Sequence, residues 1–156
     1  GLSGEQIRQG LRTFPGLPHR MERVGERAGV LYVNDSKATN TAAAAPALAA
    51  FENIHWIVGG LAKEPGLGEC EAELDHVKAA YTIGRSGDEF ARLLEKRVSI
   101  KRSVTLEQAL FDASNAAVSG DTVLLSPACA SFDAWPNFKA RALAFRDALE
   151  AAGITY

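Results

Sequence analysis

Cysteine is scarce in this chain. The two thiols, Cys70 and Cys129, stand far apart and without metal-ligand spacing, so neither a disulfide framework nor a zinc knuckle is available. Charge of one sign is also lacking. A formal net charge of -2, with Lys and Arg scattered along the chain, leaves no footprint for nucleic acid. No apolar run reaches bilayer length: Ala42–Ala50 is short and alanine-rich. The first ten residues, Gly1–Gly10, are polar and lack the apolar stretch of a signal peptide, which predicts a cytoplasmic protein. They read as mid-domain sequence, so a piece of a longer protein is expected. Three chemical signatures are missing too. No G-x-G-x-x-G follows a strand, which argues against a dinucleotide oxidoreductase; no G-x-x-x-x-G-K-[ST] is present, so the chain has no phosphate loop of its own; and no G-x-S-x-G elbow marks a serine hydrolase.

What remains is an ordinary globular composition over 156 residues, enough for one domain and a substantial core. Ile7 and Leu11 suggest a short helix over Gly4–Thr13, and Phe14-Pro-Gly-Leu-Pro18 then reads as a linker. Arg20–Arg27 is polar and extended, and Met21–Glu26 could pair antiparallel with the strand Gly29–Val33. Ala42–Phe51 has helical propensity, with Pro46 placed in its first turns or kinking it. Ile54–Val58, Val77–Ile83, Val98–Lys101 and Asp121–Leu125 read as further strands, with a weak helix at Glu69–His76. Ser86-Gly-Asp-Glu89 and Thr105-Leu-Glu-Gln108 have capping-box form and open two more helices. The last helix starts near Asn137 and carries Phe138, Ala142, Phe145, Leu149 and Ala152 on one face. Strands alternating with helices predict an α/β, Rossmann-like three-layer domain with a mostly parallel sheet of five to six strands.

Every residue suited to chemistry lies just after a strand. Asp35, Ser36, Lys37 and Thr39 follow the first, Lys63 follows Gly59-Gly60 at the end of the second, and Ser126–Ser131 follow the fifth. In a parallel sheet those ends share one edge, where ligands bind. Lys37 and Lys63 could neutralise a carboxylate or phosphate, and small residues let a ligand approach the backbone. Blander roles stand beside these: Thr39, Asn40 or Thr41 could only cap a helix, Asp35 could be a turn residue, and Gly59-Gly60 could be turn chemistry. Cys129 invites comparison with a nucleophile, but His19, His55 and His76 are not placed to activate it, so a buried thiol is expected. Trp56 and Trp135 are expected in the core or a pocket wall.

Gly16-Leu-Pro-His-Arg20, Asn34-Asp-Ser-Lys-Ala-Thr-Asn40, Gly59-Gly-x-x-Lys63 and Ser126-Pro-Ala-Cys-Ala-Ser-Phe-Asp133 through Phe138, in this order and spacing, resemble the carboxy-terminal domain of the Mur ligases, in their D-glutamate-adding branch. The resemblance covers essentially the whole chain. It implies that residues 1–18 are the end of a central ATPase domain plus the hinge, and that 19–156 are the D-glutamate-binding domain. It further implies an ATP- and Mg2+-dependent ligase that joins D-glutamate to UDP-N-acetylmuramoyl-L-alanine through an acyl phosphate. The own N-terminal and central domains of the full protein would be its partners, and a monomer is expected. By the same resemblance Thr39, Lys63, Ser131, Phe132 and Phe138 hold D-glutamate. Arg20, Asp35 and Lys37 reach ATP after domain closure, Lys37 is catalytic, and no metal ligand is supplied. The isolated chain is expected to be inactive. Two departures stand out: Ala142 follows Arg141 where the family often has glycine, and Leu61-Ala62 replaces a more polar pair before Lys63. A non-catalytic anion-binding module, or the same domain of another amino-acid ligase in the superfamily, are the alternative readings.

Overall fold

A computed structural model describes residues 3–4 and 18–154 of the chain. The expected helix over Gly4–Thr13, the Phe14–Pro18 hinge and the boundary at residue 18 lie almost wholly outside the described residues. The described part opens with a hairpin, β1 (Glu22–Arg27) and β2 (Val30–Asn34), paired antiparallel with Arg27 opposite Val30. Its two-residue turn, Ala28-Gly29, takes positive φ at both positions (52° and 77°), the geometry that matches strand twist. Glycine is required at the second position, because a Cβ there would stand 2.1 Å from Ser119 Oγ. The antiparallel partner anticipated for the first strand is therefore β1.

Helix α1 (Thr41–Ala50) is opened by Asn40, whose side chain accepts from the Ala43 N–H at 2.8 Å. Pro46 sits at its sixth position and the helix continues past it. Strand β3 (Ile54–Gly59) is buried along its whole length, as a central parallel strand must be. A 3-10 helix (Gly68–His76) occupies the place of the weak helix expected there, and β4 (Val77–Ile83) follows. Helix α2 (Gly87–Leu94), β5 (Ser99–Val104), α3 (Leu106–Ala116), β6 (Thr122–Leu125) and α4 (Phe138–Ala151) complete the chain.

The six strands lie in the order β1-β2-β6-β3-β4-β5, parallel except for β1. Side chains alternate between the faces. Val33, Trp56, Val58 and Leu124 pack with α1, the 3-10 helix and α2; Tyr32, Ile57, Val123 and Leu125 pack with α3 and α4. The result is the anticipated three-layer α/β domain. Both edge strands carry charge, Glu22, Arg23, Glu26 and Arg27 on β1 and Lys101 and Arg102 on β5, which discourages pairing with other chains.

Some local expectations fail for a reason. Ser86 makes no side-chain cap; its Oγ accepts the Ala62 N–H at 3.0 Å instead. Thr105 caps α3 through Gln108 N–H at 3.2 Å, but Gln108 Nε2 turns to Asp112 Oδ1 at 2.9 Å, so only half of the box forms. Val98–Lys101 extends to Val104, and Ala152 caps α4 in solvent, outside its buried face.

At the amino edge of the sheet a polar network joins three strands. Asp121, immediately before β6, accepts from Val118 N–H at 3.1 Å, Lys78 Nζ at 3.0 Å and His55 Nε2 at 2.8 Å. His55 Nδ1 in turn lies 2.8 Å from the Tyr81 hydroxyl. Burial by itself would raise the pKa of Asp121, but these donors outweigh it and hold the carboxyl below its ordinary 3.8. Its stabilisation is therefore complete above that value and lost as pH falls through the lower folded value. Asp121→Asn should lower stability at pH 7 by about 1–3 kcal/mol, with the gap to the parent closing in acid. Urea midpoints across pH would test this, and a gap that stays constant below pH 3.8 would refute the assignment.

Candidate functional site

The carboxyl ends of β2, β3 and β6 form one edge because β6 lies between the other two. Its end is tied to both by backbone bonds. Asp35 N–H donates to Leu125 O at 2.7 Å, and Gly59 N–H donates to Pro127 O at 2.9 Å. Beyond these, Leu61 and Ala130 exchange a pair of bonds at 2.9 and 3.0 Å, a short antiparallel bridge between the two loops. The Lys63 loop is thus held by main chain through Leu61. Gly60 is obligatory here: its φ is 130°, and a Cβ would meet Ala130 O at 2.6 Å. Trp56 is fully buried and its Nε1–H donates to Ser126 O at 2.7 Å, fixing the loop from below.

Thr39 and Lys63 meet on this edge, with Lys63 Nζ donating to Thr39 Oγ1 at 3.1 Å. Among the described residues neither group has a further hydrogen-bond partner, which leaves the exposed ammonium two N–H donors and the threonine its O–H for a ligand. Adjacent donors of this kind form a fork suited to a carboxylate. Ser131 is buried, and its carbonyl accepts from Ala134 and Trp135 N–H at 3.0 and 2.8 Å, closing a turn. That turn presents Phe132, 68% exposed, to solvent. Phe138 is half-buried at the start of α4, edge-on to His19 with ring centroids 6.2 Å apart. Asn137 caps that helix through Ala140 N–H at 2.9 Å.

Arg20, Asp35 and Lys37 line an open cavity of about 320 Å3 together with Ala43 and Pro46. Arg20 and Lys37 are exposed, whereas Asp35 is buried. Its Oδ1 accepts Met21 N–H at 2.9 Å, and its Oδ2 accepts the Ser126 hydroxyl at 2.7 Å. Asp35 therefore clamps the start of β1 to the loop after β6, a structural duty beside any ligand contact. Burial raises its pKa, against the bonds from Ser126 and Met21 and the charge of Arg20. Cys129 is fully buried, and burial pushes its thiol up to about 12, so it packs and does not attack. Trp135 is half-buried in the wall of a cavity of about 160 Å3 beside Gly84 and Asp133. Among the described residues no group of three His, Cys, Asp or Glu side chains could hold a metal ion.

One residue with no assigned role proves central. Arg141 is fully buried on the inner face of α4 and donates to the carbonyls of Ser36 and Cys129. The signal was present in the sequence, since position 141 falls between Phe138 and Phe145 on the apolar stripe. Ala142 is accommodated next to it, buried within an unbroken helix.

Because the raised pKa of Asp35 means that the unfolded chain loses the proton first, stability is lost as pH rises from 3.8 towards the folded value. Asp35→Asn should gain stability relative to the parent as pH rises above 3.8, read from urea midpoints. A constant or reversed difference would show that Arg20, Met21 and Ser126 more than offset the burial.

Comparison with known proteins places this geometry. Residues 19–129 match the family model described as Mur ligase, glutamate ligase domain. The UDP-N-acetylmuramoylalanine--D-glutamate ligase of Novosphingobium aromaticivorans is 54% identical over 151 residues, covering 97% of this chain and 34% of that protein. A bifunctional folylpolyglutamate synthase/dihydrofolate synthase, solved with Mn, AMPPNP and L-glutamate bound, superposes with a TM-score of 0.57 at 25% identity, over 98% of this chain and 36% of its own. The UDP-N-acetylmuramate-alanine ligase of Thermotoga maritima shares the fold alone, with a TM-score of 0.60 at 13% identity over 97% of this chain and 34% of its own. The chain thus spans about a third of the length of the relatives it matches. It belongs to the glutamate ligase domain family of the Mur ligases.

Proposed function

We propose that this chain is the D-glutamate-binding domain of an ATP-dependent ligase that joins D-glutamate to UDP-N-acetylmuramoyl-L-alanine, a step of peptidoglycan precursor synthesis. The observation that carries the reading is the Thr39–Lys63 fork on an edge shared with Ser131, in a chain 54% identical to ligases of that name. A dicarboxylic amino acid needs fixed donors for its carboxylates and an unobstructed path for its amine. The fork would hold one carboxylate, and the Ser131 turn would lie against the substrate with Phe132 and Phe138 beside it. Anchoring both carboxylates would leave the amine as the reactive end and turn it outward, where an acyl carbon presented by the other domains could meet it.

Arg20 and Lys37 fit the second ligand. Both are exposed cations on one cavity wall, suited to phosphate oxygens, and Lys37 would neutralise charge nearest the reacting groups. Asp35 would reach the nucleoside only from its clamped position. ATP and Mg2+ would be held principally by the central domain, since this chain has no phosphate loop. The N-terminal and central domains of the full protein are the partners, a monomer is the expected state, and the cytoplasm is the expected location. Among the described residues no helix is long and apolar enough to cross a membrane.

Two measurements test this. In the full-length ligase carrying this domain, Lys63→Ala should raise the KM for D-glutamate about tenfold or more while the KM for ATP moves less than about twofold. An unchanged D-glutamate KM would overturn the fork. The chain alone should neither hydrolyse ATP nor form the amide; ATP-dependent amide synthesis by it would refute the division of labour.

A further inference from the structure

Arg141 is 0% exposed, and its charge lies beneath the candidate site with no salt bridge among the described residues. Buried guanidinium groups ordinarily face a carboxylate. Here the two terminal nitrogens go to main-chain carbonyls on different loops: Nη1 donates to Cys129 O at 3.0 Å, and Nη2 donates to Ser36 O at 2.9 Å. The third loop presses on the same group, since a Cβ on Gly60 would stand 3.4 Å from Nη1. Each carbonyl sits just upstream of a candidate ligand contact. Ser36 precedes Lys37 and Thr39, and Cys129 precedes Ser131 by two residues.

The arrangement is costly in isolation. Burial draws the arginine down to about 10, which leaves it cationic at neutral pH, with the Cys129 thiol and Asp133 as its other electrostatic neighbours. Its Nε and the Ser36 hydroxyl are both buried without a hydrogen-bond partner among the described residues. An apolar side chain would fill the same stripe of α4 without that cost. A planar fork, however, spans two carbonyls at a fixed separation, which no apolar residue and no lysine can do.

We propose that Arg141 is a positioning residue of the carboxylate grip: its fork sets the spacing between the Ser36–Thr39 loop and the Cys129–Ser131 loop, and its charge biases the edge towards an anionic amino acid. The proposal rests on reading that edge as the D-glutamate surface. A residue needed only for folding would alter stability but leave the two substrate constants moving together.

The test uses Arg141→Lys, which keeps the charge but not the fork, and Arg141→Met, which keeps the bulk alone, in the full-length ligase. Arg141→Lys should raise the KM for D-glutamate about tenfold, and Arg141→Met about tenfold further, with the KM for ATP within about twofold throughout. A D-glutamate KM within twofold of the parent in Arg141→Lys, or equal rises in both constants, would overturn the proposal. Should Arg141→Met fail to fold, Arg141→Lys decides alone. In this chain, amide resonances of Ala38, Thr39, Ala130 and Ser131 should shift together in Arg141→Lys; shifts confined to α4 would count against it. Lys63→Ala separates the two levels of argument. If it raises the D-glutamate KM and the Arg141 variants do not, positioning fails and the site stands; if none of them does, the site reading itself fails.

Discussion

The insertion of β6 between β2 and β3 is the constraint on which the rest of this domain depends. A chain that ran β2, β3, β4, β5 outward and stopped would leave the first two loops one strand apart with nothing between them. By returning through α3, the chain fills that gap with Thr122–Leu125 and delivers Ser126–Ser131 to the point where both neighbours end. The bonds Asp35 N–H to Leu125 O and Gly59 N–H to Pro127 O are what this placement looks like at the main-chain level. Convergence of Thr39, Lys63 and Ser131 is a consequence of topology first and of side-chain chemistry second.

The two edges of the sheet then divide the polar work. Among the described residues the buried side-chain polar atoms at the amino edge are matched: Asp121 has three donors, and His55 bridges it to Tyr81. At the carboxyl edge lie the three buried side-chain polar atoms without a partner among the described residues, on Ser36, Asp133 and Arg141. Backbone strain follows the same division. Positive φ at Ala28 and Asn53 belongs to turns at the amino edge, whereas His19, Met21, Val104 and Ala128 take it at the carboxyl edge. For Val104 this is a real penalty, since a β-branched side chain resists that region. One edge is built for stability; the other holds strain and unmatched polarity where a ligand would come.

That division explains what the sequence made legible. The succession of strands and helices and the shared loop edge follow from periodicity and from the handedness of crossovers, so the carboxyl ends of Val33, Val58 and Leu125 fall on one edge, although the order of the strands in the sheet does not follow. The Mur ligase resemblance came from short strings on those same loops. The hairpin was readable as an option, because Ala28-Gly29 separates two extended runs. Long-range pairing was not readable. Nothing local says that Ser86 will accept from Ala62 instead of capping its own helix, or that Gln108 will turn to Asp112. Asp35 looked like a ligand contact and is also a clamp, because only the fold brings Met21 and Ser126 to its two oxygens. Arg141 had a local signal, a charge on an apolar stripe, but its partners lie in loops 12 and 105 residues away.

The exposure pattern leaves this edge open to solvent. Thr39 and Lys63 point their free donors outward, Phe132 is 68% exposed, and Arg20 and Lys37 stand on an open wall. Water weakens every charge interaction it reaches, so groups this open would bind more tightly once covered. Here the enclosure is missing while the foundation is rigid: Trp56, Gly60, Asp35 and Arg141 lock the loops from below. A base tied in this way lowers the ordering cost of any contact made on the open face. The donors of Thr39 and Lys63 already stand together on that base, so little ordering is left for a ligand to impose.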